Sequence, residues 1–345
     1  MDYEKVKKMA KKIIIIAFAI IALFHVAWYV ASKSYQNSAL PDAKTVDEHL
    51  SGFMDQLKIS RDVLRDMEET YIEANGIKLH LVVFPAGKKA RTLVFIPGTS
   101  VYAKFYIEFI GKMHAKGFNV VAFDPRGHGM SSGPRGDYTI EEEVDDTLAV
   151  VAYARKRFGG NVAVSGSSQG GMVAFYTAAR DDSIAAVVCH NIADLNGKDN
   201  LVLSQVRPPL FMVPLARFMM DLYKGYSIPI SMYLDLRKEI MKNGVDAVTF
   251  TENDPLVVHR ITFRAMNSLL KTDLAKPVEK ITVPVMLIHS DRDNIFPQEY
   301  VEGIYGRLTC PKNYLLFKNT DHLVMTNRVD DIVPPVSKWL KVVMK

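Results

Sequence analysis

At 345 residues, with 48% hydrophobic side chains and a net charge of +5, the chain has neither the polar bias of a disordered protein nor the basic footprint of a nucleic-acid binder. Two cysteines, Cys189 and Cys310, cannot build a disulfide framework, and without CxxC or HExxH spacing no metal is expected. The length exceeds one typical domain but suits a single unit of alternating strands and helices.

Residues 13–31 read IIIIAFAIIALFHVAWYVA, without a formal charge beyond any proton on His25. At about 1.5 Å per residue such a helix crosses the roughly 30 Å hydrocarbon core of a bilayer. Trp28 and Tyr29 suit its interface. Lys5, Lys7, Lys8, Lys11 and Lys12 precede it, against Asp2 and Glu4, and only Lys33 follows closely. The positive-inside rule therefore predicts a cytoplasmic N-terminus at residues 1–12, a transmembrane signal anchor at 13–31 and an extracytoplasmic remainder. A cleaved signal peptide is the competing reading. The apolar stretch is long for one, however, and no small-x-small cleavage site follows. Residues 32–70 are polar and mixed, with Leu50, Met54, Leu57, Val63 and Met67 at helical spacing, and predict a stalk or lead-in helix.

From residue 71 short β-rich runs alternate with helical stretches. Residues 71–84, broken by Asn75-Gly76, predict a hairpin. Strands follow at 92–96, 119–123, 161–165, 183–190, 283–289 and 313–317. Helices are expected at 103–116, from a Thr139 cap to 158, and at 170–180. Strands separated by helices of this length predict an α/β fold, a mostly parallel sheet covered on both faces. Cys189 ends an apolar run and reads as a buried small hydrophobe; it can pair with Cys310 only if the fold brings the two together. Residues 193–280 exceed an ordinary connection. Their Phe211, Met212, Phe218, Met219, Tyr223, Tyr226, Met232, Tyr233 and Met241 suit helices that form a lid over a pocket, apolar on its inward side.

Gly166-Ser167-Ser168-Gln169-Gly170 matches G-x-S-x-G between a predicted strand and a predicted helix, the context this motif requires. Small residues flank the serine because it sits on a strained strand-to-helix turn that lifts its Oγ above the sheet. Ser168 holds the central place and Ser167 does not. A serine hydroxyl is a weak nucleophile and needs a base oriented by a carboxylate. In this chain order the acid and then the histidine should follow, each just past a strand on the same rim. Asp291 and Asp293 both qualify after residues 283–289, and His322 after 313–317. His289 lies inside its strand and His128 in a glycine-rich turn, so both read as structural. The N–H of Gln169 and one from Pro97-Gly98-Thr99 should form an oxyanion hole, Thr99 being favoured because proline has no N–H.

These residues resemble the α/β-hydrolase superfamily, in particular the serine hydrolases that include monoacylglycerol lipases, lysophospholipases and esterases. The resemblance runs from about residue 71 to the C-terminus. It rests on Asp124-Pro125-Arg126-Gly127-His128-Gly129-Met130-Ser131, similar to D-x-R-G-H-G-x-S, on the elbow, and on two late segments. Residues 290–297 are similar to a G-x-x-D-x-x-x-P segment, which implies Asp293 rather than Asp291 as the acid, and Asp321-His322 resembles a terminal G-H. Three departures stand out. Pro97-Gly98 replaces a common His-Gly pair. The elbow reads S-S-Q-G-G rather than the H-S-M-G-G of monoacylglycerol lipases, and no G-G-S-W-G of prolyl aminopeptidases is present. The resemblance implies ester hydrolysis through an acyl-enzyme by Ser168, His322 and Asp293, with no cofactor. A lipid or acyl-chain ester is the expected substrate and the membrane, through residues 13–31, the expected partner. An acyltransferase, a thioesterase or peptidase with the same triad, and a catalytically silent binding protein are the alternatives.

Overall fold

A helix that is apolar on every face has no side to turn toward water, and residues 13–31 form the middle of such a helix, α1 (Tyr3–Gln36). The structure, a computed structural model, describes residues 3–197 and 209–344. By length and composition α1 can cross a membrane over Val6–Gln36, and none of its most apolar window is buried. Its C-terminal turns are docked. The Trp28 indole donates to the Ser227 carbonyl at 3.0 Å, the Ser227 N–H to Ser32 Oγ at 2.9 Å, and Gln36 Nε2 to the Gly225 carbonyl at 2.8 Å. His25 stacks on Tyr223 with ring centres 5.4 Å apart.

Residues 32–70 are not a free stalk. Asp42 accepts the Thr45 N–H at 2.9 Å and so caps α2 (Ala43–Gln56). Val46, Leu50, Phe53 and Met54 of that helix are buried in the same core as Phe105 and Ile110. The helical spacing of the expected lead-in was that of an amphipathic helix covering a sheet, which needs a partner surface and finds one on the domain.

The hairpin β1 (Glu68–Ala74) and β2 (Ile77–Phe84) turns at Asn75 and Gly76, with φ of 50° and 76°, the paired positive values of a type I′ turn. Then come β3 (Thr92–Ile96), α3 (Ile107–Ala115), β4 (Asn119–Phe123), α4 (Ile140–Phe158), β5 (Val162–Ser167), α5 (Gln169–Arg180) and β6 (Ala186–His190). The helix expected from residue 103 opens as a 3-10 turn, Ala103–Tyr106. Thr139 and Glu142 form a capping box at the start of α4. After the insertion follow β9 (Val285–Ser290), α9 (Gln298–Arg307), β10 (Lys312–Phe317), α10 (Val324–Asn327) and α11 (Val329–Val343); the insertion itself supplies α6 (Val213–Leu222), β7 (Ser227–Pro229), α7 (Ala247–Thr251), β8 (Arg260–Thr262) and α8 (Phe263–Ser268).

Eight strands form one sheet in the order β1-β2-β4-β3-β5-β6-β9-β10, antiparallel at β1-β2 and β2-β4 and parallel elsewhere. The two-residue period of a strand divides its side chains between two cores. Leu93 and Phe95 join α2, α3 and α11 on one face; Val94 and Ile96 join α4, α5 and α9 on the other. Cys189 and Cys310 lie buried in that second core, both as free thiols. The chain folds as an α/β-hydrolase, and all parallel strands end on one rim.

The glycine-rich turn after β4 locks that rim. Asp124 accepts the Ala103 and Met130 N–H groups at 2.8 Å each and faces His80 Nδ1 at 2.9 Å. Arg126 binds Asp146 through two 2.7 Å bonds. His128 donates from Nδ1 to the Arg126 carbonyl, and burial pushes its pKa down to about 4, so it is a neutral structural group.

Of the insertion expected at 193–280, residues 198–208 lie outside the described residues. The expectation that it is apolar on its inward side is incomplete. Met220, Tyr233 and Met241 do face inward, but Phe211, Leu215, Phe218 and Leu222 are 82%, 57%, 62% and 60% exposed, an apolar face turned outward. The element also includes an antiparallel β7–β8 pair, not helices alone.

Candidate active site

The elbow is built by backbone crowding. Ser168 holds φ 54° and ψ −119°, a left-handed conformation that costs a residue with Cβ about 1–3 kcal/mol. Its N–H donates to the His190 carbonyl at 2.9 Å. A Cβ on Gly166 would lie 2.1 Å from the Gly170 carbonyl oxygen, and one on Gly170 2.3 Å from the carbonyl oxygens of Ile96 and Pro97. The pattern's two glycines are therefore steric requirements of this turn.

Ser168 Oγ lies 2.9 Å from His322 Nε2, and His322 Nδ1 lies 2.7 Å from Asp293 Oδ2. Three side chains from the loops after β5, β9 and β10 thus meet on one rim. Asp293 is satisfied on both oxygens: Ile295 and Phe296 N–H groups donate to Oδ1 at 2.8 Å each, and Asn191 Nδ2 donates to Oδ2 at 2.9 Å. Burial alone would raise its pKa, but the His322 charge and these bonds hold it well below the usual carboxylate range. For His322 burial works downward and the Asp293 carboxylate outweighs it, so the imidazole pKa is raised. The His322 ring stacks on Phe296 with centroids 5.8 Å apart, and the His322 backbone N–H donates to Glu239 Oε2 at 2.8 Å. Asp291 does not reach it; its carboxylate accepts the Thr320 N–H at 3.4 Å.

His190, Asp293 and His322 also bring metal-ligand atoms within 4.8 Å of one another, but the His322 and Asp293 atoms are joined by their own hydrogen bond. His190 is held neutral by burial and by the neighbouring His322, and its Nδ1 faces Ser167 Oγ at 3.0 Å. His289 is buried with Nδ1 2.5 Å from Asn191 Oδ1.

Gln169 and Thr99 line the same pocket as Ser168. Their side chains are bonded, Thr99 Oγ1 donating to Gln169 Oε1 at 3.1 Å, where Tyr138 also donates at 3.1 Å. The Gln169 amide in turn donates to both oxygens of Glu143, at 3.1 and 3.0 Å. Glu143 is fully enclosed, and burial pushes its pKa up to about 8. Sequence reasoning missed Asn191, Glu239 and Glu143. Asn191 follows β6 on the active rim and was open to discovery there. Glu143 was hidden in an acidic run at a helix start, although its three-residue spacing from Ile140 puts it on the buried face. No motif marks Glu239.

A family model described as serine aminopeptidase, S33, matches residues 87–328. The monoacylglycerol lipase of Mycolicibacterium smegmatis is 27% identical over 213 residues, 58% of this chain and 71% of that protein. The bifunctional esterase/perhydrolase DCH of Acinetobacter calcoaceticus is 25% identical over 208 residues, 53% of this chain and 67% of that one. The crystal structure of Paleococcus ferrophilus monoacylglycerol lipase superposes with a TM-score of 0.63 at 27% identity, covering 76% of this chain and 98% of its own. The matched span takes in the elbow and the rim loops from β3 to His322, and the chain belongs to the serine aminopeptidase S33 family of α/β-hydrolases.

Proposed function

We propose that this chain is a membrane-anchored serine esterase that cleaves acyl-chain esters, with Ser168 as nucleophile, His322 as base and Asp293 as its orienting carboxylate. The observation that carries the reading is the unbroken run of short contacts, 2.9 Å from Ser168 to His322 and 2.7 Å on to Asp293. The esterase and lipase relatives support the reaction class. The family is that of an aminopeptidase, but among the described residues neither pocket flanking Ser168 has an aspartate or glutamate in its lining to hold a substrate ammonium.

His322 Nε2 accepts the Ser168 proton as Oγ attacks the ester carbonyl carbon. The N–H groups of Gln169 and Thr99 receive the developing oxyanion, the former at the N-terminus of α5. Protonated His322 then passes the proton to the leaving alcohol. Water, activated by the same imidazole, releases the acid and restores the serine. Asp293 stays ionised throughout and holds the ring's tautomer.

Membrane anchoring through residues 13–31, with a cytoplasmic N-terminus, is supported by the lysines before the span and by the bonds from Trp28, Ser32 and Gln36 to the insertion, which a cleaved leader would forfeit. The test is fluorophosphonate labelling and p-nitrophenyl butyrate hydrolysis by the wild type and Ser168→Ala. The variant should lose labelling and fall at least about 10⁴-fold in kcat. Retained activity would refute the assignment.

A further inference from the structure

The two pockets that touch Ser168 hold only about 70 and 60 Å³, too little for an acyl chain when ligand sites run to roughly 300–1,000 Å³. A far larger cavity, about 670 Å³, lies next to the first of them. It shares Tyr233, Met266 and Leu270 with the pocket over Ser168, so these three side chains form the partition between the two spaces. Phe24, Ala27 and Trp28 of α1 line one side of it, and Ala216 and Met220 of α6 line another. Two of its polar side chains are turned to carbonyls: Arg217 donates to Leu270 and Arg260 to Ser227. The walls that remain are almost wholly apolar.

Depth matters as much as lining. Counted from Ile13, a roughly 30 Å core needs about 20 residues at 1.5 Å each, so the span ends near residue 32. Phe24 then lies about 12 Å inside the leaflet on the side of the catalytic domain. The insertion packs at this level, with His25 on Tyr223 and Trp28 against Tyr226 and Phe263. Phe211, Leu215, Phe218 and Leu222 add exposed apolar surface to the insertion, whose helix α6 shares the cavity with α1. Such a surface in water would be an aggregation liability; beside a membrane span it faces lipid tails.

We infer that α1 is a wall of the substrate site as well as a tether: the insertion sits sunk in the leaflet, and the cavity between α1 and α6 takes the acyl chain of a bilayer lipid ester sideways, past Tyr233, Met266 and Leu270, to Ser168. This rests on the esterase reading and names its substrate class. The partition must part for the chain to pass, and no new bond is made in that step.

The test fills the cavity from its two walls separately, with Ala27→Phe on α1 and Ala216→Phe on α6, in the full-length protein reconstituted in phosphatidylcholine vesicles. The readout is the ratio of kcat/KM for a monooleoyl glycerol ester to that for p-nitrophenyl butyrate. Both variants should lower this ratio at least tenfold, by losing the long-chain substrate selectively. An unchanged ratio in both variants, or equal loss of the two substrates in both, overturns the inference while leaving Ser168 chemistry standing. A wild type that neither labels with fluorophosphonate nor cleaves either ester overturns the esterase reading itself, and the acyl site with it.

Discussion

Two aspartates two residues apart, Asp291 and Asp293, have almost the same sequence credentials and opposite surroundings. Asp293 reaches His322 at 2.7 Å, whereas Asp291 accepts a loop N–H. Asp293→Asn should therefore lower kcat/KM by about 10⁴-fold, and Asp291→Asn by less than about threefold. The raised His322 pKa adds a pH signature: the rise of kcat/KM with pH should have its midpoint above that of an ordinary imidazole, and Asp293→Asn should move it downward. Equal effects of the two substitutions would remove Asp293 from its role. Glu143 makes a different claim, about stability. Its pKa is raised from 4.5 to about 8 because the charged form is buried, so its contribution to stability is whole below pH 4.5 and is lost as pH rises through about 8. His80, raised from 6.5 to about 9 despite burial by Asp124 and Glu69, loses its contribution as pH rises from 6.5 through 9. The wild type should lose thermal stability from pH 6 to 9, and Glu143→Gln should flatten the lower part of that slope, worth up to about 1.4 kcal/mol per pH unit. Melting curves of the two proteins with identical slopes would rule this out.

The strand–elbow–helix unit from β5 to α5 was legible because its constraint is local: a strand, two glycines and a helix start must follow within a few residues. Gly170→Ala places a methyl 2.3 Å from two carbonyl oxygens that cannot rotate away, and the backbone must shift. We expect it to destabilise the fold by about 3 kcal/mol or more and to abolish labelling of Ser168; soluble, labelled protein with a normal melting point would contradict the steric account. The Asn75-Gly76 hairpin was legible for the same reason. For α2 the spacing of Leu50 and Met54 was readable, but its covering of the sheet was not, since periodicity reports that a face is apolar without naming what it meets.

At the level of the entire chain, α1 and the insertion form one structure. Trp28 bonds Ser227 and meets Tyr226 and Phe263 edge-on, contacts spanning about two hundred positions of sequence. Trp28→Ala should loosen the insertion by about 1.4 kcal/mol or more, read as a tenfold faster proteolysis around residues 213–233 with the sheet still protected. Unaltered cleavage would show that the docking contributes nothing.

Local spacing was sufficient for the hairpin, the elbow, the apolar span and the placing of Ser168, an aspartate and His322 on one rim, because each depends on neighbours in sequence or on the rule that parallel strands end on one rim. It was not sufficient for the choice between Asp291 and Asp293 without a family resemblance, nor for Glu143 under Gln169, the outward apolar face of α6, or the packing of α1 on the insertion. Those are set by contacts between segments distant in sequence, from 26 residues for Glu143 and Gln169 to 199 for Trp28 and Ser227, or by a few ångströms of loop geometry. No repeat of three or four residues encodes either one.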